Sequence, residues 1–203
     1  MNKDAKNLSE NKMKSFILLL FFSMSLFAIQ KANISDYMKN NILQATSIIK
    51  QKDLSKEEKA SKIFPLFDTV FDYKLMTKLS LGKDNWLKMT KAQRAEFTNQ
   101  FITKLKQSYI DKLDLYTDEK LRIIGLKEVN KKRILLLTQL VGDKDTYDIT
   151  YKFYKSRDDN WLIYDVDIIG VSLIQVYRAQ FNGALQDGSY QTLLNRLNKV
   201  KND

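Results

Sequence analysis

Apolar residues along this chain keep helical spacing first, alternate later, and return to helical spacing at the end. Ile34, Tyr37, Met38, Ile42, Ala45, Ile48 and Ile49 recur every three or four positions, so residues 34–51 are predicted as an amphipathic helix. Ser55-Lys56-Glu57-Glu58 has the form of a capping box and opens a second helix through Phe64, with Pro65 ending or kinking it. Phe67, Val70, Phe71, Leu75, Met76, Leu79 and Leu81 give a short helical segment that stops near Gly82. Thr90-Lys91-Ala92-Gln93 is another capping box. It begins the longest predicted helix, Lys91 to Tyr116, whose stripe is Phe97, Phe101, Leu105, Tyr109 and Leu113.

From Leu121 the period becomes two. Residues 121–126 read as a weak strand and 133–141 as a strong apolar one, followed by the turn signal Gly142-Asp143-Lys144-Asp145. Tyr147, Ile149, Tyr151 and Phe153 alternate with Asp148, Thr150, Lys152 and Tyr154, the pattern of a half-buried antiparallel strand. Arg157 to Asn160 is a hairpin loop, and Trp161 to Ile168 is the return strand. After Gly170, residues 172–186 and 189–200 read as helices, with Gly188 ending one and Ser189 capping the next. Consecutive hairpins beside a block of helices give an α+β fold: a twisted antiparallel sheet of about four strands packed on helices, with a hydrophobic cavity between them.

The N-terminus bears on compartment. Lys12 and Lys14 precede an apolar run from Phe16 to Ala28, too short for a comfortable membrane span. Residues 1–28 are therefore expected to be an export signal, the alternative being a retained anchor, and residues 29–203 a single domain in the periplasm. The chain carries +10; residues 1–28 hold four lysines against two acids, which leaves +8 on the rest. A basic exported protein suits anionic lipid surfaces or acidic partners rather than nucleic acid.

Chemistry is narrowed by what is missing. With no histidine and no cysteine, His-based acid–base pairs, thiol nucleophiles and the usual His/Cys metal sites are excluded, as are disulfides. Asp165 and Asp167 stand two residues apart on one strand; a cross-strand pair with Lys or Arg is favoured over acid–base work. Ser172 reads as a helix N-cap, since there is no base for it. Arg178 is read equally as a headgroup or partner contact and as half of a salt bridge. No catalytic residue, metal site or cofactor is expected.

Several motifs fit one known family. Trp161-Leu162-Ile163-Tyr164-Asp165, then Gly170-Val171-Ser172, then Tyr177-Arg178 and Phe181 resemble the C-terminal part of the periplasmic phospholipid carriers of the Mla (toluene-tolerance) system. Phe71-Asp72 with Met76, Leu81-Gly82, Trp86 and Thr90-x-x-Gln93-Arg94-x-x-Phe97 resemble the family's earlier elements in the same order, so the likeness spans roughly residues 34–200. Many members carry an acid before Gly-Val-Ser where this chain has Ile169. The resemblance implies a soluble, non-enzymatic carrier with phospholipid as its cargo. It implies exchange with an inner-membrane ABC transporter complex and an outer-membrane lipoprotein–porin complex, maintaining outer-membrane lipid asymmetry. A monomer is expected.

Alternation on the strands and the four-residue stripe of the long helix suggest which residues line the cavity. They are Phe67, Phe71, Leu75, Phe101, Leu105, Tyr147, Ile149, Tyr151, Phe153, Val166 and Ile174, with Val171 added on the resemblance. On the residues alone, a ligand-free envelope adaptor and an enzyme on an α+β roll stay open.

Overall fold

A computed structural model describes residues 29–111, 113, 119–186 and 188–199. The expected export signal, residues 1–28, lies outside the described residues. A 3-10 turn, Lys31–Asn33, leads into helix α1 (Ile34–Ile49), followed by α2 (Lys56–Asp68), α3 (Tyr73–Lys88) and α4 (Lys91–Ile110). The sheet comes next: β1 (Lys120–Asn130), β2 (Arg133–Val141), β3 (Thr146–Lys155), β4 (Trp161–Ile168) and β5 (Val171–Ser172). Helices α5 (Leu173–Phe181) and α6 (Tyr190–Lys199) close the chain.

Both capping boxes form. Ser55 Oγ accepts from the Glu58 amide at 3.2 Å while Glu58 accepts from the Ser55 amide at 2.8 Å. Thr90 and Gln93 repeat the exchange at 3.2 and 2.9 Å. Pro65 does not end α2, which runs on to Asp68. Proline removes one amide donor, and so near the C-terminus the loss is limited to one bond. The following carbonyl, Leu66, is taken up by Asn41 Nδ2 at 2.7 Å and Tyr37 Oη at 3.1 Å, which explains why Asn41 is buried. Gly82 stops the first stretch of α3 as expected: with φ 74° and ψ 164° it breaks the helical path, and a second stretch follows to Lys88. Only glycine takes that backbone conformation readily. Helix α4 ends at Ile110, with Asp111 as its cap, short of the expected Tyr116; residues 112 and 114–118 lie outside the described residues.

The sheet is an antiparallel meander in the order β1-β2-β3-β4-β5, one strand more than expected. The extra strand is the pair Val171 and Ser172 folding back onto Ile168 and Asp167. The two-residue turn between them, Ile169 (φ 53°) and Gly170 (φ 78°), needs positive φ at both positions. β4 is covered along its length by three pieces. β5 pairs with its C-terminal end, Phe71 bridges Ile163 in parallel, and Ile29 accepts from the Trp161 amide at 3.0 Å.

Two apolar cores flank the middle of the molecule. One is helical: Phe97, Phe101, Tyr177, Phe181 and Leu193 from α4, α5 and α6 are fully enclosed. Phe101 and Tyr177 meet edge to face at 4.8 Å between centroids, and Phe97 and Phe181 at 5.5 Å. The other lies between α1 and the sheet, around Ile34, Met38, Ile134, Phe153 and Ile163. Phe71 packs against both.

Candidate functional site

Between these cores is an apolar cavity of about 380 Å³, within the size range of small-molecule sites. α1 contributes Ile42, Ala45, Thr46 and Ile49, and α2 contributes Ala60, Ile63, Phe64 and Phe67. Phe71, Tyr73 and Met76 enter from around the start of α3, and Leu105, Lys106, Tyr109 and Ile110 from the end of α4. The sheet supplies Leu121, Leu140, Ile149, Tyr151, Val166 and Ile168, while Leu113 and Leu173 complete the wall.

Cross-strand register explains the sheet's share. Ile134, Phe153 and Ile163 stand side by side and are sealed in the core. One row along, Leu136, Tyr151 and Val166 pair; beyond them come Thr138, Ile149 and Ile168. Last is the row of Leu121, Leu140 and Tyr147. All share one sheet face, because directly paired residues do so; on β4 a bulge between Ile163 and Asp165 brings Val166 and Ile168 back to the face of Ile163. Exposure grows along the rows, from 0% at Phe153 to 38% at Ile168 and 41% at Tyr147. The sheet thus has a closed end near Trp161 and an open end near Ile168.

Six of the twelve residues read from sequence are on the cavity wall: Phe67, Phe71, Leu105, Ile149, Tyr151 and Val166. The other six are elsewhere, each for a definable reason. Phe153 has the right face but the wrong depth, since it belongs to the sealed row. Phe101 has the right stripe but the wrong turn: α4 gives Phe97 and Phe101 to the helical core, and its cavity residues, Leu105, Lys106, Tyr109 and Ile110, come farther along. Leu75 is rotated away from the pair Tyr73 and Met76, which lie three apart and share a face. Ile174 packs into the helical core, and its neighbour Leu173 takes the wall position. Tyr147 and Val171 are 41% and 57% exposed at the open end, with Val171 directly opposite wall residue Ile168. The α1 lining was missed, although Ile42, Ala45 and Ile49 form a legible stripe. Lys106 and Tyr109 carried no pattern marking a polar group on a wall.

Polar groups around the cavity fall into two sets. Lys106 Nζ donates to the Asp68 carboxylate at 2.7 Å and lies over the rings of Phe64 (5.0 Å) and Tyr73 (5.4 Å). Tyr73 also donates to Asp68, at 2.8 Å. Burial, reinforced by that carboxylate, raises the Tyr73 phenol above its ordinary value. Burial likewise raises Tyr151, helped by nearby Tyr109, and pushes Tyr109 up to about 12. Tyr109 nevertheless shows 39% of its surface, because that surface opens onto the cavity.

The acidic pair on β4 is structural. Lys152 on β3 bridges Asp165 at 3.0 Å and Asp167 at 2.7 Å. Burial works against the Lys152 cation, but its bonds to the two carboxylates outweigh it and hold the pKa above its usual value. Buried Asp165 also accepts from Ser172 Oγ at 2.7 Å and from the Ile174 amide at 3.1 Å, fastening the start of α5 to the sheet. Ser172 caps α5 through the Gln175 amide at 3.1 Å. Arg178 is exposed, and its guanidinium lies over the break at Gly82, 3.6 Å from where a Cβ would stand.

An apolar chamber open at one end, in an α+β domain whose nearby acids Asp68, Asp165 and Asp167 are tied into ion pairs, defines a binding protein for an apolar ligand. The MlaC protein family model matches residues 39–199, and the chain belongs to the MlaC family. Among solved structures, the phospholipid-binding protein from Ralstonia solanacearum, determined in complex with a phospholipid, matches with a TM-score of 0.67. That match covers 85% of this chain and 98% of the other at 19% identity, a likeness of fold. Comparison with curated proteins gives no match.

Proposed function

We propose that this protein is a periplasmic phospholipid carrier that holds acyl chain in the cavity and exchanges it with membrane complexes. Support comes from the cavity itself: about 380 Å³ walled almost wholly by apolar side chains, in a chain of the MlaC family. Each chain methylene taken from water contributes about 0.8 kcal/mol, so ten of them hold the cargo against an aqueous path by about 8 kcal/mol. The same methylenes gain almost nothing relative to a bilayer interior, so exchange with a membrane is close to balanced and partners set its direction. The partners proposed are an inner-membrane ABC transporter complex and an outer-membrane lipoprotein–porin complex, and the role is maintenance of outer-membrane lipid asymmetry.

Native mass spectrometry of protein purified from the envelope fraction tests this reading. A phospholipid mass that co-purifies and is displaced by Val166→Glu supports it. Val166 is 5% exposed on the cavity wall, and an unpaired carboxylate there is costly to bury against acyl chain. Protein that leaves the cell folded and free of lipid would refute the carrier reading.

A further inference from the structure

The open end of the sheet carries an exposed apolar patch. Tyr147, Ile168, Ile169 and Val171 are 41%, 38%, 62% and 57% exposed. Ile168 is itself on the cavity wall, and Val171 stands opposite it in register. The Ile169 amide donates to the Asp148 carbonyl at 2.9 Å, which brings the turn beside Tyr147. The four side chains therefore border one side of the mouth. Ile169 is the costly member. At φ 53° a β-branched residue is disfavoured, and a side chain left so exposed regains little by packing. Folding gains nothing from isoleucine there, which points to a contact outside the molecule.

Size and charge decide what that contact is. The exposed parts amount to about two whole side chains, roughly 400 Å², against the ~800 Å² that each partner of a standard protein interface buries. That is too little to hold a second copy of the chain. Charges beside the patch nearly cancel, with Glu119, Asp143, Asp145 and Asp148 against Lys120, Arg122 and Lys144. The protein's overall positive charge is thus not gathered at this end. A bilayer needs neither a large matched surface nor an opposite charge, because apolar side chains enter the boundary between headgroups and acyl chains. We propose that Tyr147, Ile168, Ile169 and Val171 seat the open end in that boundary of a lipid bilayer, so that cargo passes between cavity and membrane without crossing water. This rests on the carrier reading and adds its point of membrane contact.

A tryptophan reporter tests the contact. Val171→Trp protein purified from the envelope fraction is mixed with vesicles of dibrominated phosphatidylcholine, whose chains quench indole on contact. Val129→Trp, at a site 55% exposed near the opposite end of the sheet, is the control. Emission from the buried Trp86 and Trp161 is subtracted with the unmodified protein. Insertion to the acyl boundary should remove about half of the new emission in Val171→Trp and less than about a tenth in Val129→Trp. The same loss is expected in about 0.5 M salt, where adsorption by charge is screened. Adding Ile169→Asn to Val171→Trp should raise the lipid concentration for half quenching about tenfold, for loss of one exposed isoleucine. Its melting temperature should not fall, since asparagine tolerates positive φ. Quenching equal at both positions, abolished by salt or unchanged by Ile169→Asn overturns the proposal. So does quenching that persists once the vesicles are spun away, which reports brominated cargo in the cavity. Absence of quenching in protein that carries phospholipid by native mass spectrometry overturns the docking alone. Quenching in protein that never carries lipid overturns the carrier reading alone.

Discussion

Strand β3 offers a graded test of the division between core and cavity, because Phe153, Ile149 and Tyr147 share one face and differ in depth. Phe153 is wholly enclosed between Ile134 and Ile163, so Phe153→Ala leaves a void that tight packing cannot fill and should cost about 3–5 kcal/mol. Ile149 is half-buried on a wall that already faces empty space. Its replacement by Ala removes three carbons, worth about 2.4 kcal/mol if fully buried, and half of that, about 1 kcal/mol, is expected here. No cavity term is added, since the cavity exists beforehand. Tyr147 is 41% exposed, and Tyr147→Ala should cost about 0.5 kcal/mol or less. Urea unfolding of delipidated protein gives these values directly, provided the slope with denaturant is unchanged. Delipidation matters because any ligand bound only to the folded state would add its own stabilisation. A cost at Ile149 equal to that at Phe153 would show the wall to be solid core and refute the cavity. A cost at Tyr147 above that at Ile149 would refute the depth ordering.

Three further outcomes are expected. Asp165→Ala strips the Ile174 amide and Ser172 hydroxyl of their acceptor, while Lys152 keeps Asp167, so urea unfolding should show a loss of about 3 kcal/mol. Ile169→Gly removes a β-branched side chain from a left-handed position (φ 53°); it should stabilise the fold by about 1 kcal/mol, raising the melting temperature by about 3 °C in calorimetry. Tyr109 and Tyr190, both pushed up by burial to about 12, should remain protonated at pH 11 when phenolate absorbance is followed at 295 nm, after exposed tyrosines have ionised. Since their folded values are raised, the stability they carry is intact below pH 10 and is lost as pH climbs toward 12.

Periodicity made the architecture readable, and its failures share a cause. The capping boxes at Ser55 and Thr90 satisfy amides locally, and the alternation in residues 147–153 is enforced by one buried face. Each could be read from a few neighbouring letters. Distance along an element could not. Phe101 and Leu105 sit on one stripe of α4, and Phe153 and Ile149 on one face of β3, yet one member of each pair is solid core and the other cavity wall. That distinction depends on where a second element stops covering the first, which only the assembled fold decides. β5 was missed because two residues are too few for a period, and Ile169 lacks the Asn or Asp that announces such a turn. Pro65 was overweighted, because a proline near a helix end forfeits little.

The covering of β4 by Ile29 settles how the protein can be held. Ile29 is clamped at the Trp161 end of the strand, its carbonyl on the Trp161 amide at 3.0 Å and its amide on Asn160 Oδ1 at 2.6 Å. Trp161 and Ile168 are separated by seven residue steps of extended chain, about 23 Å. Anything attached ahead of residue 29, whether a leader, an affinity tag or a linker to a sensor surface, therefore grips the molecule at the end remote from its opening. A protein immobilised through a short tether placed directly ahead of residue 29 would present the Ile168 end outward, free to meet a vesicle, whereas attachment near the Ile169-Gly170 turn would turn that end toward the support.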